Sequence, residues 1–129
     1  MALGGAAGAV ARYAVSGSIQ ERAGGAFPWG TMTVNVAGCL LAGLVTGWLT
    51  GIVPPLAAGA PGGTPGEVTW ALALAGFLGA FTTFSGFAAD GVRLERAGER
   101  GGSLLYLAGS LVLGVLAAGA GLLGVRMFL

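Results

Sequence analysis

Four apolar runs divide this chain, and each is close to the roughly 20 residues that cross a bilayer's hydrocarbon core as a helix. The first extends from about Ala2 to Ile19, interrupted only by Arg12. It ends at Gln20, Glu21 and Arg22 before a glycine-rich turn through Ala26. The second begins near Trp29 and ends at about Val53. Pro54 to Gly66 then holds four of the five prolines and four glycines, a composition that predicts a loop. The third run begins near Val68, stops at Thr82-Thr83-Phe84-Ser85 between Gly79 and Gly86, resumes through Ala89 and then turns charged from Asp90 to Arg100. The fourth runs from Ser103 to about Val125, with Arg126 at its end. Trp29 and Trp70 suit interfacial anchors. The expected fold is an all-α integral membrane protein with four transmembrane helices, in one domain over residues 1–129.

Charge supports this class. Soluble domains carry about 25% charged residues, whereas this chain carries 9%. Eleven charges, 6 basic and 5 acidic, cannot coat a water-exposed surface. The 27 glycines have no collagen period. Within membrane helices they let backbones approach closely. Gly43, Gly47 and Gly51 recur every fourth residue, so they share one face that should meet another helix.

The same inventory excludes several functions. A net charge of +1 points to no nucleic-acid partner. Histidine, the commonest metal ligand and usual general base, is absent. No Cys–His or Ser–His pair, metal-ligand cluster or phosphate loop occurs, so an enzyme is not expected. Gly4 to Gly8 precedes no strand and reads as packing glycine. Cys39 is the one cysteine; it cannot form an intrachain disulfide and reads as a small apolar side chain. Met1 to Val10 lacks a basic leader region, so the first run is expected to remain as a membrane helix.

Polar residues inside the runs each have two readings. Arg12 is either a functional intramembrane charge or an anchor that snorkels to the membrane face. Thr31 and Asn35 share a face of the second helix, where Asn35 meets water, an ion or a neighbouring helix. Tyr106 and Ser110 share a face of the fourth, as a polar track or as packed groups. Phe81, Phe84 and Phe87 recur every third residue, as a core stripe or as ring edges offered to an anion. The Thr-Thr-Phe-Ser stretch suggests a helix broken at membrane depth, which is tolerated only where it is buried in protein or lines a wet cavity.

Three motifs together resemble the small bacterial fluoride channels of the Fluc (CrcB) family. They are Gly4-Gly5-Ala6-Ala7-Gly8-Ala9-Val10-Ala11-Arg12-Tyr13, Gly30-Thr31-Met32-Thr33-Val34-Asn35-Val36-Ala37-Gly38, and Gly76-Phe77-Leu78-Gly79-Ala80-Phe81-Thr82-Thr83-Phe84-Ser85-Gly86-Phe87. The resemblance implies an antiparallel homodimer in the cell membrane, with the third helix broken near the membrane midplane and fluoride pores along the subunit interface. It implies passive export of cytoplasmic fluoride, which protects the cell from fluoride toxicity. It also implies a structural sodium ion at the dimer centre, held by the backbone carbonyls of Gly79 and Thr82. The implied pore residues are Asn35, Phe84 and Phe87, the hydroxyls of Thr31, Thr83 and Ser85, and the polar track of Tyr106 and Ser110, with Arg12 near the pore entrance. This chain departs from many members at three places: Gly86 where they have threonine, Gly114 where they carry a further serine, and Asp90 where they have glutamate.

With four spans, Arg22, Arg93, Arg96 and Arg100 fall on one side and Arg126 on the other, a bias that places the first side in the cytoplasm and sits awkwardly with a dual-topology homodimer. A small multidrug transporter of dual topology would need an acid within the first span, which has none. A non-transporting scaffold subunit would explain the glycine faces but not hydroxyls at membrane depth.

Overall fold

The computed structural model describes residues 2–52 and 74–128, with side chains to residue 48 in the first stretch. The expected loop from Pro54 to Gly66, and Val68 and Trp70 at the expected start of the third run, lie outside them. The described residues form helices and turns with no strand: α1 (Ala2–Ala23), α2 (Trp29–Ile52), α3 (residues 74–81), α4 (Phe84–Arg96) and α5 (Arg100–Phe128). The helices outrun the apolar runs. α1 takes in Gln20, Glu21 and Arg22, α4 continues through the charged stretch to Arg96, and α5 starts at Arg100. Hydrogen bonding, not hydropathy, sets where a helix stops.

The turns show this. α1 ends where Gly24 and Gly25 adopt φ of +64° and +75°, a left-handed conformation that glycine enters without a Cβ penalty. The Gln20 side chain then holds the reversal. Its Nε2 donates to the carbonyls of Phe27 at 3.1 Å and Gly25 at 3.3 Å, and its Oε1 accepts from the Gly30 N–H at 3.2 Å. One amide thereby satisfies one of the unpaired donors at the start of α2. At the α4–α5 turn, Gly98 takes φ +83°, and the Ala97 and Gly98 N–H groups close onto Arg93 and Glu95, both at 3.0 Å.

α2 and α5 form the most extensive helix pair. They run parallel, because contacts advance along both together: Cys39 with Gly114, Gly43 with Ala118, Gly47 with Leu122. A Cβ on Gly43 would collide with the Ala118 carbonyl, and one on Gly121 would lie 2.8 Å from the Leu44 nitrogen. The expected close face is therefore realised at Gly43 and Gly47, whereas Gly51 falls beyond the described side chains. α1 runs antiparallel to α2, with Gly30 against the Ser16 backbone, and α4 antiparallel to α5, with Gly91 against Leu107. One end of the bundle thus gathers the α1–α2 and α4–α5 turns, with Arg22, Arg93, Arg96 and Arg100.

The apolar pattern is the reverse of a soluble protein's. Val34, Phe81, Leu94 and Tyr106, with Pro28 in the α1–α2 turn, are the buried apolar side chains among the described residues, while Leu104, Leu105, Leu111, Val112, Val115 and Leu116 stand exposed on α5. Two described helices are long and apolar enough to cross a membrane, Trp29–Trp48 at mean hydropathy 1.4 and Arg100–Phe128 at 2.0. At ~1.5 Å per residue, Trp29 to Trp48 covers about 28 Å, which matches the ~30 Å hydrocarbon layer. Both tryptophans are exposed, as interfacial anchors are.

Candidate functional site

Between α3 and α4 the backbone leaves the helix at Thr82 and Thr83. Thr82 still closes onto α3, its N–H and Oγ1 donating to the Leu78 carbonyl at 3.0 and 2.9 Å. Thr83 is extended, with φ −146° and ψ 114°, and caps α4 by accepting the Gly86 N–H on Oγ1 at 3.0 Å. This is the usual N-cap device, a hydroxyl standing in for a missing backbone acceptor. Ser85 Oγ lies 3.3 Å from the same Oγ1.

Asn35 clamps this junction from α2. Its Oδ1 accepts the Thr83 N–H at 2.8 Å, and its Nδ2 donates to the Thr83 carbonyl at 3.3 Å. Gly38, one turn along α2, makes room for the Thr82 methyl group. The clamp also redirects the backbone. In an unbroken helix the Gly79 carbonyl would accept from the Thr83 N–H and the Thr82 carbonyl from the Gly86 N–H. Both N–H groups are spent on side-chain oxygens instead, so the two carbonyls lose their helical donors. Among the described residues no group of three His, Cys, Asp or Glu side chains could hold a metal.

Tyr106 and Ser110 lie on the face of α5 turned toward α2. Tyr106 is 0% and Ser110 7% exposed, and neither hydroxyl has a hydrogen-bond partner among the described residues. A buried polar group left unpaired costs about 1–3 kcal/mol, so two such groups one turn apart ask for an external partner. Aromatic rings enclose the phenol. Phe87 lies 5.5 Å from the Tyr106 ring, and Phe27 meets it edge-on at 5.9 Å. Phe84 is 6.0 Å from Phe87 and 82% exposed. Phe81 stacks instead on Phe77 at 5.7 Å within α3. The helix break therefore splits the three-residue Phe spacing between two helices, and only Phe84 and Phe87 face one another.

Thr31 donates from Oγ1 to Asp90 Oδ2 at 2.7 Å, and Asp90 pairs with Arg93 at 3.3 Å. Arg93 is largely exposed, so that ion pair adds little stability. The hydroxyl–carboxylate bond ties the start of α2 to α4. Arg12 is half-buried in α1 and has no hydrogen-bond or ion-pair partner among the described residues.

The structure thus joins Asn35 to Thr83, Thr83 to Ser85, Phe84 to Phe87, Phe87 to Tyr106 and Thr31 to Asp90, and leaves Arg12 apart. Reading the sequence did not pick out Asp90 as the partner of Thr31, nor Phe27 and Gly38 as neighbours of Tyr106 and Thr82. The four-residue spacing of Thr31, Asn35 and Cys39 is a signal for one polar α2 face, but nothing along the chain says which helix meets it.

Residues 1–122 match the family described as CrcB-like protein, Camphor Resistance (CrcB). The chain is 42% identical over 123 residues to the fluoride-specific ion channel FluC of Acidobacterium capsulatum, covering 95% of this chain and 90% of that protein. It is 48% identical over 119 residues to fluoride-specific ion channel FluC 1 of Symbiobacterium thermophilum, covering 92% and 88%. It is 41% identical over 129 residues to FluC of Magnetococcus marinus, covering 98% and 95%. With its all-helical chain, its apolar exterior and a match over nearly its whole length, this protein belongs to the CrcB-like family.

Proposed function

We propose that this protein is a fluoride-selective channel, exporting cytoplasmic fluoride passively across the cell membrane and so limiting fluoride toxicity. One observation carries the reading beside the kinship: Tyr106 and Ser110 present two buried hydroxyls with no partner among the described residues, next to the Phe87 ring. Fluoride is small and strongly hydrated, so a pore must replace its water with donors. Hydroxyls do this without a fixed positive charge that would trap the ion. Ring edges of Phe84 and Phe87 add the positive rim of the aromatic quadrupole. Arg12 stands as the charge near the pore entrance. In this reading Asn35 shapes the path through Thr83, holding the junction that positions Ser85, Phe84 and Phe87. Thr31, whose proton is engaged by Asp90, orders the arginine-rich end.

The working unit in this reading is an antiparallel homodimer of four-span subunits, each one domain over residues 1–129. Three features support it. The α3–α4 junction meets α2 at Gly38, midway between Trp29 and Trp48, so α3 and α4 read as one spanning helix broken near the membrane midplane. The 82% exposure of Phe84 leaves an aromatic ring for a second subunit to cover. The open space around Gly79 admits close approach there. A two-fold axis in the membrane plane would bring the Gly79 and Thr82 carbonyls of both subunits toward the centre. Neutral carbonyl oxygens without helical donors suit a hard cation, and a structural sodium ion fits that set. When bound, the cation supplies positive potential that favours an anion nearby.

The test is fluoride efflux from liposomes, read with a fluoride electrode, with chloride efflux from the same vesicles as control. Rapid fluoride release with chloride retained is expected. A monodisperse, reconstituted protein that releases no fluoride would overturn the proposal.

A further inference from the structure

The register of α2 on α5 carries an inference that rests on the fluoride-path reading and extends it. Contacts of Cys39 with Gly114, Gly43 with Ala118 and Gly47 with Leu122 define one parallel register. Continued toward the arginine-rich end, it sets Asn35 opposite Ser110 and Thr31 opposite Tyr106. Two stripes with four-residue spacing therefore face each other, Thr31–Asn35–Cys39 on α2 and Tyr106–Ser110–Gly114 on α5. On the first two levels the α2 side chains are engaged elsewhere, by Asp90 and Thr83. The α5 hydroxyls are buried without partners among the described residues. On the third level α5 has no side chain. A Cβ built on Gly114 would lie 3.3 Å from the Cys39 sulfur, so the thiol lies against the bare α5 backbone at the level one turn beyond Ser110. Cys39 is a free thiol with no hydrogen-bond partner among the described residues.

We propose that the Cys39 thiol is the third donor of the anion path, continuing from α2 the line that Tyr106 and Ser110 begin on α5. A thiol is a weak hydrogen-bond donor. Lacking a protein acceptor, it is available to an anion that has left Ser110. Its large sulfur also fills the space against Gly114 and keeps the path narrow. The stripe thus passes from one helix to the other without losing a donor.

The experiment compares fluoride efflux for Cys39→Ala, Cys39→Ser and the double variant Cys39→Ala with Gly114→Ser. Loss of one weak donor should lower flux on the order of fivefold. Cys39→Ser should raise flux, because a hydroxyl donates more strongly. Gly114→Ser should recover most of the Cys39→Ala loss, since the hydroxyl returns from the opposite helix into space the sulfur vacated. Equal recovery by Cys39→Ala with Gly114→Ala, which refills the space without returning a donor, would mark a packing role and overturn the proposal.

Thiol labelling of the wild-type protein gives a second readout that needs no variant to fold. Methyl methanethiosulfonate transfers its methylthio group to the cysteine thiolate, forming a mixed disulfide and releasing methanesulfinate. The wild-type protein should be labelled, fluoride should slow the labelling, and labelled protein should conduct poorly. Full flux in Cys39→Ala, or labelling without effect on flux, overturns the proposal, as does a thiol that is never labelled. If Ser110→Ala and Tyr106→Phe also keep full flux, the underlying path reading falls with it. If those two lose flux and Cys39→Ala does not, only the role of Cys39 falls.

Discussion

Ser110→Ala separates conduction from packing. The Ser110 hydroxyl makes no hydrogen bond among the described residues, so its removal relieves an unpaired buried group worth about 1–3 kcal/mol. The expected result is an unchanged or higher melting temperature in detergent together with fluoride flux lowered on the order of fivefold. Unchanged flux would make Ser110 a packing residue. Asn35→Ala should behave differently, because it strips the Thr83 N–H of its acceptor and leaves the Thr83 carbonyl with the Phe87 N–H alone. Stability should fall by about 2 kcal/mol, seen as a lower melting temperature, with flux falling alongside. A variant that melts like the wild type would mean that the clamp contributes nothing. Phe84→Ile should elute like the wild-type protein and lose most fluoride flux, because the mostly exposed ring carries little of the chain's own core.

Helix packing imposes a stricter tolerance than any single polar contact. α2 and α5 approach so closely at Gly43 and Gly121 that a Cβ on either would meet backbone atoms, which cannot rotate away. Gly43→Val should therefore exceed the about 1–3 kcal/mol of ordinary overpacking and cost most of the folded yield. The check is monodisperse material recovered after size exclusion, and a wild-type yield would contradict the parallel contact. The same register positions Ser110 and Cys39, so helix packing and the donor line share one cause. The α1–α2 turn relies on a single side chain, since Gln20 serves two carbonyls and one N–H.

An antiparallel homodimer, as proposed, would have to reconcile an arginine-rich end with a partner of opposite orientation. Arg22, Arg93, Arg96 and Arg100 gather where α1 and α4 end and α2 and α5 begin, but Glu21, Asp90, Glu95 and Glu99 lie in the same region. Arginines orient a span more strongly than acids do, so this bias is the feature that most directly opposes two orientations. The homodimer reading predicts that a C-terminal protease-cleavable tag is cut in part of the population from each face of the membrane. Cutting from one face only would leave a parallel dimer or a monomer.

Much of this architecture was legible along the chain because it depends on near neighbours. Apolar runs free of proline make helices, Gly24, Gly25 and Gly98 allow the reversals, and hydroxyls between glycines break the third run at Thr82-Thr83. The paired spacings of Tyr106 with Ser110, and of Gly43 with Gly47, announced two helix faces. Which faces meet was not legible, because that depends on residues far apart in sequence. Asn35 finds Thr83 across 48 positions and Thr31 finds Asp90 across 59. Only the packed helices decide that those two α2 side chains are satisfied while Tyr106, Ser110 and Cys39 have no partner among the described residues, since a hydrogen bond requires approach within about 3 Å and no local pattern along the chain supplies that distance.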